Sequence, residues 1–247
     1  MKQYRVIIPL APMDDAPQRL TEIAAFLKAS GHHTAPIVVH DAPTRHACYH
    51  APEVQWVLRR DPFNYADAIN AGIWAAGTDD VVILGDDACP ASSDCFSLLR
   101  ALTIEDETIG LAAPGLLGVG PASMGNRGTQ KERIIDTPLA FHCVYLPRRT
   151  IDLVGLLDER YTGYGLEDVD YQMRIWQAGL DIAVHDGAVV HHGLRYASAY
   201  RTKSAWEPLF EQNKRIFADK WSISPESILT KENVRSMESQ QVGALKC

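Results

Sequence analysis

Two adjacent acids, Asp86 and Asp87, stand where the chain leaves an apolar segment. The segment Asp80-Val81-Val82-Ile83-Leu84 is typical of a strand that is buried on both faces of a parallel sheet, and Gly85 follows it. Carboxylates at the carboxyl end of a strand can bind a divalent cation, which would then hold a diphosphate through its oxygens. Asp-rich loops are also common as plain polar turns, so the pair alone leaves both interpretations open.

A second acidic cluster follows a turn that is rich in glycine. Gly163-Tyr164-Gly165-Leu166 precedes Glu167-Asp168-Val169-Asp170, and the pattern predicts a helix that begins near Glu167. On that helix Glu167 and Asp170 are neighbours at spacing i, i+3, whereas Asp168 points elsewhere. One carboxylate can therefore face a cleft while the others cap the helix or pair with Arg174. Alone, the cluster is more often an acidic helix N-terminus.

A pair of histidines, His191-His192-Gly193, comes after the apolar segment 188–190. A histidine beside an apolar strand is more often a core or edge residue than a metal ligand. Together with Asp87, however, it would give a mixed carboxylate and imidazole site that suits Mg²⁺ or Mn²⁺. His191 is the first choice as ligand and His192 the second, because neighbouring residues of a strand face opposite ways.

The elements that must position these residues alternate between strand and helix in the first hundred residues. Strands are predicted at 6–9, 36–40, 54–58 and 80–84, and helices through Leu20–Leu27 and at 65–76. This alternation predicts a doubly wound parallel sheet, in which ligands bind beyond the carboxyl ends of the strands. The functional site is therefore expected just after Val39 and Leu84.

The second half of the chain has a more mixed pattern. Strands are predicted at 108–113, 141–146, 182–184 and 188–191, and helices at 167–178 and 204–221. The Gly- and Pro-rich stretch 114–127 is predicted to be a mobile active-site loop. The residues after Ser222 are polar and are predicted to be loosely held.

Composition limits the classes of partner. The 247 residues carry 24 Lys and Arg against 31 Asp and Glu, a formal charge of −7, which does not favour binding to nucleic acid or to an anionic membrane. No apolar stretch approaches the ~20 residues that span a bilayer, and no signal peptide is recognisable. The five Cys lack CxxC spacing, so we expect them to be reduced thiols in a cytoplasmic protein. Peripheral attachment of the protein to a membrane stays open.

The order of these segments resembles the family 2 glycosyltransferases with the GT-A fold, especially the non-processive, rhamnosyltransferase-like members. The resemblance runs from about Val6 to Trp221. It is carried by six segments: Val38-Val39-His40-Asp41, residues 63–73, residues 81–87, residues 163–170 with Arg174, Val190-His191-His192-Gly193, and residues 213–221. The segment 81–87 is similar to the metal-binding DxD turn, and 163–170 to the ED segment that supplies the catalytic base.

The resemblance implies an α/β fold, with one Rossmann-like GT-A domain and a mostly parallel central sheet flanked by helices. Residues 1–221 would form this domain, with 1–113 as the nucleotide-binding half and 114–221 as the acceptor and catalytic half. Residues 222–247 would form a polar C-terminal tail.

The implied reaction is transfer of one sugar, with inversion, from a nucleoside diphosphate sugar to an acceptor hydroxyl. Asp168, with Glu167 as second choice, would act as the base, and Asp87 and His191 would bind Mn²⁺ or Mg²⁺. The residues expected to contact the nucleotide are Pro9, Asp41, Asp67, Asn70 and Asp86. UDP- and dTDP-sugars are the favoured donors. The acceptor class stays open among glycans, lipid-linked glycans, proteins, small molecules and modified nucleic acid, as does a homo-oligomeric state.

Two departures from the family pattern define the alternatives. Gly85 occupies the first position of the DxD turn, which leaves open a degenerate GT-A module that binds a nucleotide sugar without turning it over. Gln172-Met173-Arg174-Ile175-Trp176 lacks the QxxRW spacing of processive synthases, which argues against a polymer-extruding enzyme. A nucleotidyltransferase is less favoured because the stretch 9–17 lacks a Gly-rich, basic phosphate loop.

Overall fold

The computed structural model describes residues 4–10, 16–29, 32, 34–40, 54–59, 63–118, 132–193, 203–227 and 229–237. Asp41 and most of the predicted active-site loop lie outside these residues. The first half contains β1 (Tyr4–Leu10), α1 (Ala16–Ala29), β2 (Ile37–His40), β3 (Gln55–Leu58), α2 (Tyr65–Ala76) and β4 (Asp80–Leu84). The predicted alternation of strand and helix in this half is confirmed.

The second half contains more elements than the sequence predicted. They are β5 (Ala88–Pro90), α3 (Cys95–Glu105), β6 (Ile109–Gly118), β7 (Glu132–Ile135), β8 (Cys143–Leu146), α4 (Arg148–Val154), α5 (Glu167–Gln177), β9 (Asp181–His192), α6 (Lys203–Trp221) and α7 (Lys231–Ser236). The two short strands predicted at 182–184 and 188–191 are one long strand, β9.

All nine strands form one sheet, in the order β3-β2-β1-β4-β8-β6-β9-β5, with β7 also paired to β9. The four strands of the first half are parallel to one another. β8 runs antiparallel to β4 and to β6, whereas β6 and β9 are parallel. The sheet is therefore parallel in its first half and mixed in its second, so the α/β prediction holds while the parallel order does not extend across the whole sheet.

The sheet is buried on both faces, since residues of one strand alternate between two apolar cores. Ile7 of β1 belongs to the core formed with α2 and α5, whereas Val6 and Ile8 belong to the core formed with α1 and α3. Both faces exclude water, which explains why β1, β2 and β4 are continuous apolar runs instead of alternating ones.

A buried charge network fastens α6 to α5. The Asp170 carboxylate, which is fully buried, accepts hydrogen bonds from Trp221 Nε1 at 2.9 Å, from Lys220 Nζ and from Arg174 Nε at 3.1 Å. Lys220 also pairs with Asp158 at 2.8 Å. Buried charges are tolerated only when they are paired in this way, so the network fixes the position of α6 beside the start of α5.

The region predicted as a loosely held tail differs from that prediction over 229–237. Val234 of α7 is fully buried, and Arg235 donates to the carbonyls of Gly179 and Leu180 at 3.0 Å. The helix is capped by Thr230, whose side chain accepts a hydrogen bond from Asn233 N. Lys231 adds two contacts, since its backbone N–H donates to the carbonyl of Asp136 at 2.8 Å and its Nζ pairs with Asp181 at 3.2 Å. None of the helices in the described ranges is both long and apolar enough to cross a bilayer.

Candidate active site

The acidic turn lies at the carboxyl end of β4, where it meets the end of β9. The backbone N–H of Gly193 donates to the carbonyl of Asp87 at 3.2 Å, and Ala88 pairs with His192 in the β5–β9 register. Asp87 Oδ2 and His192 Nε2 are 3.3 Å apart, and their side chains are 7% and 4% exposed. The sheet thus brings a carboxylate and an imidazole that are 105 positions apart in the chain to one protected point.

It is His192, not the first-choice His191, that faces Asp87. The two histidines are consecutive on β9, so their side chains point to opposite faces of the sheet. His191 pairs in register with Cys89, on the other side from the Asp87 carboxylate. We therefore assign the proposed ligand position to His192.

The predicted base lies in the first turn of α5. The backbone N–H of Val169 donates to Asp168 Oδ1 at 2.8 Å, and that of Phe141 donates to Oδ2 at 3.4 Å. Burial nevertheless raises the pKa of Asp168 to about 6, because these two hydrogen bonds only partly replace the lost solvation. A carboxylate with this pKa is ionised at neutral pH yet basic enough to accept a proton.

Glu167 is more deeply buried and has a different role. Its Oε2 accepts a hydrogen bond from the backbone N–H of Gly165, which fixes the turn that precedes α5. Burial, and secondly the neighbouring charge of Asp168, raise the pKa of Glu167 well above its usual range. The surroundings of the two adjacent carboxyls give them different pKa values. Asp168 is therefore the one suited to proton transfer, and Glu167 is the one that holds the turn.

The segment Phe141-His142 links the base to the acidic turn. Phe141 N–H points at Asp168, while the carbonyl of His142 accepts the N–H of Gly85 at 2.8 Å. The His142 ring packs on the ring of His192, with centroids 3.6 Å apart and planes inclined by 33°. Two consecutive residues thus contact both halves of the site.

The Tyr65 phenol contacts the segment Phe141-His142, which links the two acidic groups. Its O–H donates to the carbonyl of Phe141 at 3.0 Å. Burial, and then the negative charges of four carboxylates, raise its pKa well above its usual range, and those carboxylates are Glu167, Asp168, Asp87 and Asp86. The acids that follow β4 and those that begin α5 therefore both act electrostatically on this phenol, and their membership of one site stays a prediction.

The residues predicted to contact the nucleotide are more widely spread. Pro9 is buried in β1 beside Val39 of β2. Asp67, in the first turn of α2, pairs with Arg59 through two hydrogen bonds at the end of β3. Asp86 is partly exposed in the acidic turn. These three residues lie at or near the carboxyl ends of parallel strands. Their contacts with a nucleotide stay predictions.

Asn70 is placed differently. Its amide accepts the N–H of Leu157 and donates to the Leu157 carbonyl, both at 2.9 Å, and also donates to Glu159 Oε1 at 2.8 Å. The side chain is 2% exposed, so it holds the segment 157–159 against α2. This geometry favours a structural role over the nucleotide contact that was predicted, because its polar atoms are already engaged.

Asn213 of α6 clamps the turn that precedes α5. It accepts from Thr162 N at 2.9 Å and donates to the carbonyls of Thr162 and Gly165 at 3.0 and 2.9 Å. Gly163 and Gly165 have φ of 65° and 117°, which only glycine adopts at little cost. The turn is therefore rigid where it presents Glu167 and Asp168.

Gly85 sits in a confined space. A Cβ at this position would lie 3.1 Å from Asp87 Oδ1 and 3.2 Å from the carbonyl oxygen of His142. Both distances are shorter than ordinary van der Waals contact, and the second neighbour is backbone that is held by the N–H of Gly85 itself.

Asp87 and His192 fit a divalent cation as a pair of ligands. Two ligands at right angles about 2.1 Å from an ion are roughly 3 Å apart, close to the 3.3 Å seen here. Among the described residues there is no group of three or more His, Cys, Asp and Glu side chains arranged to hold a metal. An ion bound here would thus take further ligands from water or from a bound diphosphate, as Mg²⁺ commonly does.

Sequence reasoning missed Tyr65, Phe141 and His142. Phe141 and His142 act through the backbone and by ring stacking, which leave no pattern in one sequence. Tyr65 had a signal, since it begins the helix that was predicted to reach the nucleotide, but its contact with residue 141 depends on the order of strands in the sheet.

At the level of sequence, the chain matches no protein-family model and no curated protein. Solved structures do resemble it. GalNAc-T7, with UDP, GalNAc and Mn²⁺, superposes with a TM-score of 0.66 at 13% identity, over 89% of this chain and 50% of that one. The mannosyltransferase PcManGT from Pyrobaculum calidifontis, with GDP-Man and Mn²⁺, gives 0.62 at 15% identity, over 90% of this chain and 63% of that one.

The chain spans about half the length of the first of these proteins and less than two thirds of the second. At such low identity the likeness establishes the fold and leaves activity to be argued from the site. The mixed sheet flanked by helices is the GT-A fold, which the chain shares with these two structures.

Proposed function

We propose that this protein is a metal-dependent, inverting glycosyltransferase that moves one sugar from a nucleoside diphosphate sugar to an acceptor hydroxyl. The observation that carries the proposal is that the segment Phe141-His142 contacts both the acidic turn after β4 and the acid at the start of α5. In the first group Asp87 is paired with His192, and in the second Asp168 is suited by its pKa to accept a proton. The solved structures of like fold, which were obtained with UDP or GDP-Man and with Mn²⁺, support it.

In the proposed reaction, the Asp168 carboxylate accepts the proton of an acceptor hydroxyl while the hydroxyl oxygen attacks the anomeric carbon. The bond from that carbon to the diphosphate oxygen breaks, and its electron pair leaves with the nucleoside diphosphate. The backbone N–H groups of Val169 and Phe141 hold Asp168 in one orientation. A Mn²⁺ or Mg²⁺ ion held by Asp87 and His192 would neutralise the charge that develops on the leaving diphosphate.

The donor is tested first, by thermal shift with UDP-, dTDP- and GDP-sugars, each with and without Mn²⁺. A donor that binds the folded state raises the apparent stability, and we expect this rise to depend on the metal. UDP- and dTDP-sugars are the first candidates. GDP-sugars belong in the panel because PcManGT was crystallised with GDP-Man.

Catalysis is then tested by release of nucleoside diphosphate from the selected donor, with water in place of an acceptor. Asp168→Asn should lower this rate by roughly 10²–10⁴-fold, the usual contribution of a general base, while donor affinity changes little. Asp152→Asn, an exposed acid of α4 that pairs with Arg148, is the matched control. Donor binding with no release over a day would favour a binding module, and full activity in folded Asp168→Asn would remove the base assignment.

A further inference from the structure

Strand β9 contains a bulge between the half that pairs with β7 and the half that pairs with β5. On its other edge, Pro114 of β6 lies opposite His185. The next residue of β6, Gly115, lies opposite Val189. The three residues 186–188 therefore have no counterpart in β6, and we call them the β9 bulge. Bulges bend a strand locally and can re-aim the side chains that follow them.

The β9 bulge reverses the alternation of side chains along the strand. Before it, Ile182 and Val184 belong to the core formed with α2 and α5. After it, Val190 belongs to the opposite core, which is formed with α1 and α3. In an unbroken strand, residues that are an even number of positions apart share a face, so Val190 would lie on the side of Val184. The three extra residues, an odd number, move the later side chains to the other face.

This reversal decides which histidine can reach Asp87. His192 pairs directly with Ala88, and both Ala88 and Val190 belong to the core with α1 and α3, so His192 lies on that face. Without the bulge, His191 would take this face and His192 the opposite one. The approach of His192 Nε2 to within 3.3 Å of Asp87 Oδ2 therefore depends on the bulge.

The imidazole of His185 holds the β9 bulge in its shape. Its Nδ1 accepts hydrogen bonds from the backbone N–H groups of Gly187 and Ala188, at 3.1 and 3.2 Å. The ring is buried and lies so close to Gly187 that a Cβ there would be 3.0 Å from His185 Cε1. Because the bulge has no counterpart in β6, this side chain supplies the acceptor that a neighbouring strand would otherwise supply.

An ion pair fastens the bulge to β7. Arg133 donates to the carboxylate of Asp186 from Nε at 3.3 Å and from Nη2 at 3.2 Å. The two side chains are 12% and 2% exposed, so the pair is shielded from water. Removing one partner of such a pair leaves an uncompensated charge, which is costly. His185 thus holds the bulge within β9, while Arg133 holds it against the adjacent strand.

We propose that His185 is a positioning residue for metal binding, because by holding the β9 bulge it turns His192 toward Asp87. His185 lies seven positions before His192 and acts through the backbone between them. The inference rests on the proposed function, since it concerns a ligand of the metal that this function requires. It predicts that the affinity for Mn²⁺ depends on an acceptor atom at position 185 and not on the overall stability of the protein.

The test compares two replacements of His185 in the full chain. His185→Asn keeps an acceptor, Oδ1, close to the position of Nδ1, whereas His185→Leu keeps an apolar side chain without any acceptor. Mn²⁺ binding is measured by electron paramagnetic resonance in the presence of UDP, dTDP and GDP in parallel. Electron spin echo measurements on the same samples detect the nitrogen nucleus of an imidazole that is bound to Mn²⁺.

We expect His185→Leu to bind Mn²⁺ about tenfold or more weakly than the wild type and to lose the nitrogen signal. Residues that orient a metal ligand commonly contribute about 10–100-fold to metal affinity. His185→Asn should stay within about threefold of the wild type and keep the nitrogen signal, because the acceptor is retained. Rescue by Asn separates positioning of the ligand from mere filling of space.

Two further variants keep the test decisive. Ile151→Val shortens a buried side chain of α4, near the amino end of β4, so it should lower the melting temperature and leave the affinity for Mn²⁺ unchanged. If His185→Leu does not fold, Asp186→Asn loosens the same bulge, since it removes the charge that pairs with Arg133 at almost constant size. It should weaken Mn²⁺ binding about threefold or more, because a charge-assisted hydrogen bond is about twice as strong as a neutral one.

The proposal is overturned if folded His185→Leu keeps the affinity and the nitrogen signal of the wild type, or if His185→Asn is as impaired as His185→Leu. Equal weakening in Ile151→Val, or an unchanged affinity in Asp186→Asn where His185→Leu does not fold, would overturn it too. Failure of the proposed function looks different, because the wild type itself would then bind no Mn²⁺ with any of the three nucleotides. That result would remove the metal assignment and this inference together.

Discussion

Replacing Asp168 with Asn is expected to stabilise the protein at neutral pH while it removes the proposed catalytic base. Burial raises the pKa of Asp168 from 3.8 to about 6, so the folded state holds its ionised form at a cost. Asn has the same shape and no charge, and its amide oxygen can still accept the N–H of Val169. The electrostatic cost is therefore removed while most of the packing stays.

The size of the effect follows from the pKa. A rise of about two pH units at 1.36 kcal/mol per unit corresponds to about 3 kcal/mol, as an upper limit. Asn has one amide oxygen for the two backbone N–H groups, so the unpaired N–H of Phe141 would offset part of this figure and leave a gain of about 1–2 kcal/mol. For a chain of this length, such a gain raises the melting temperature by about 2–8 °C.

The pH dependence has a definite sign. The folded pKa lies above the unfolded one, so the cost of ionising Asp168 is fully present above about pH 6 and disappears as the pH falls toward 4. The gain in Asp168→Asn should therefore be full at pH 7.5 and reduced to about a third at pH 4.5. Thermal melts of metal-free and nucleotide-free protein in EDTA, at both pH values, measure this difference.

Asp158→Asn is a control variant, for which we expect the opposite change in melting temperature. Burial alone would raise the pKa of Asp158, but hydrogen bonds from Arg160 and Lys220 outweigh it and hold the pKa well below its usual range. This group stabilises the fold above its unfolded pKa, so its replacement should lower the melting temperature at pH 7.5. An Asp168→Asn protein that melts at or below the wild-type temperature at pH 7.5, or whose gain is the same at both pH values, would refute the reasoning.

Three further predictions concern ligands and packing. Asp87→Ala and His192→Ala should each weaken Mn²⁺-dependent binding of nucleoside diphosphate in calorimetry, whereas His191→Ala should not; equal affinity with and without Mn²⁺ would remove the metal assignment. Lys220→Met should lower the free energy of unfolding in urea by about 3–5 kcal/mol, because it removes the cation that pairs with the buried carboxylates of Asp158 and Asp170. A loss of less than about 1 kcal/mol would contradict this prediction. Asn213→Ala should lower the free energy of unfolding by about 2–4 kcal/mol and also slow the release of diphosphate. Normal release from the folded variant would show that Asn213 does not position the base.

The parts of the fold that the sequence predicted are those with strong local signals. Strand β4 and helix α2 have the predicted bounds, 80–84 and 65–76, because one is an unbroken apolar run and the other begins at a capping residue, Asn64. The helix α7 was not predicted, since its stability comes from contacts of Val234 and Arg235 with distant backbone.

The candidate site was predictable in its residue types and less so in its geometry. Gly85, which precedes the acids at 86–87, and Asp168 both bond to the segment Phe141-His142. The choice between His191 and His192, however, depends on the face of β9 that turns toward Asp87, and this follows from the pairing of β9 with β5. The structural role of Asn70 could not be predicted from the sequence either, because its partners, Leu157 and Glu159, are more than 85 positions away.

The confined space at Gly85 changes how its departure from the DxD pattern should be understood. A residue that had decayed from Asp would leave a vacancy into which the acid could be put back. Here a Cβ would lie 3.1 Å from the carboxylate of Asp87 and 3.2 Å from the carbonyl oxygen of His142, so one of these groups would have to shift by a few tenths of an ångström. Gly85→Asp would therefore shift the Asp87 carboxylate or the His142 carbonyl from its present position. A variant made to restore the consensus should therefore bind metal less well than the natural chain.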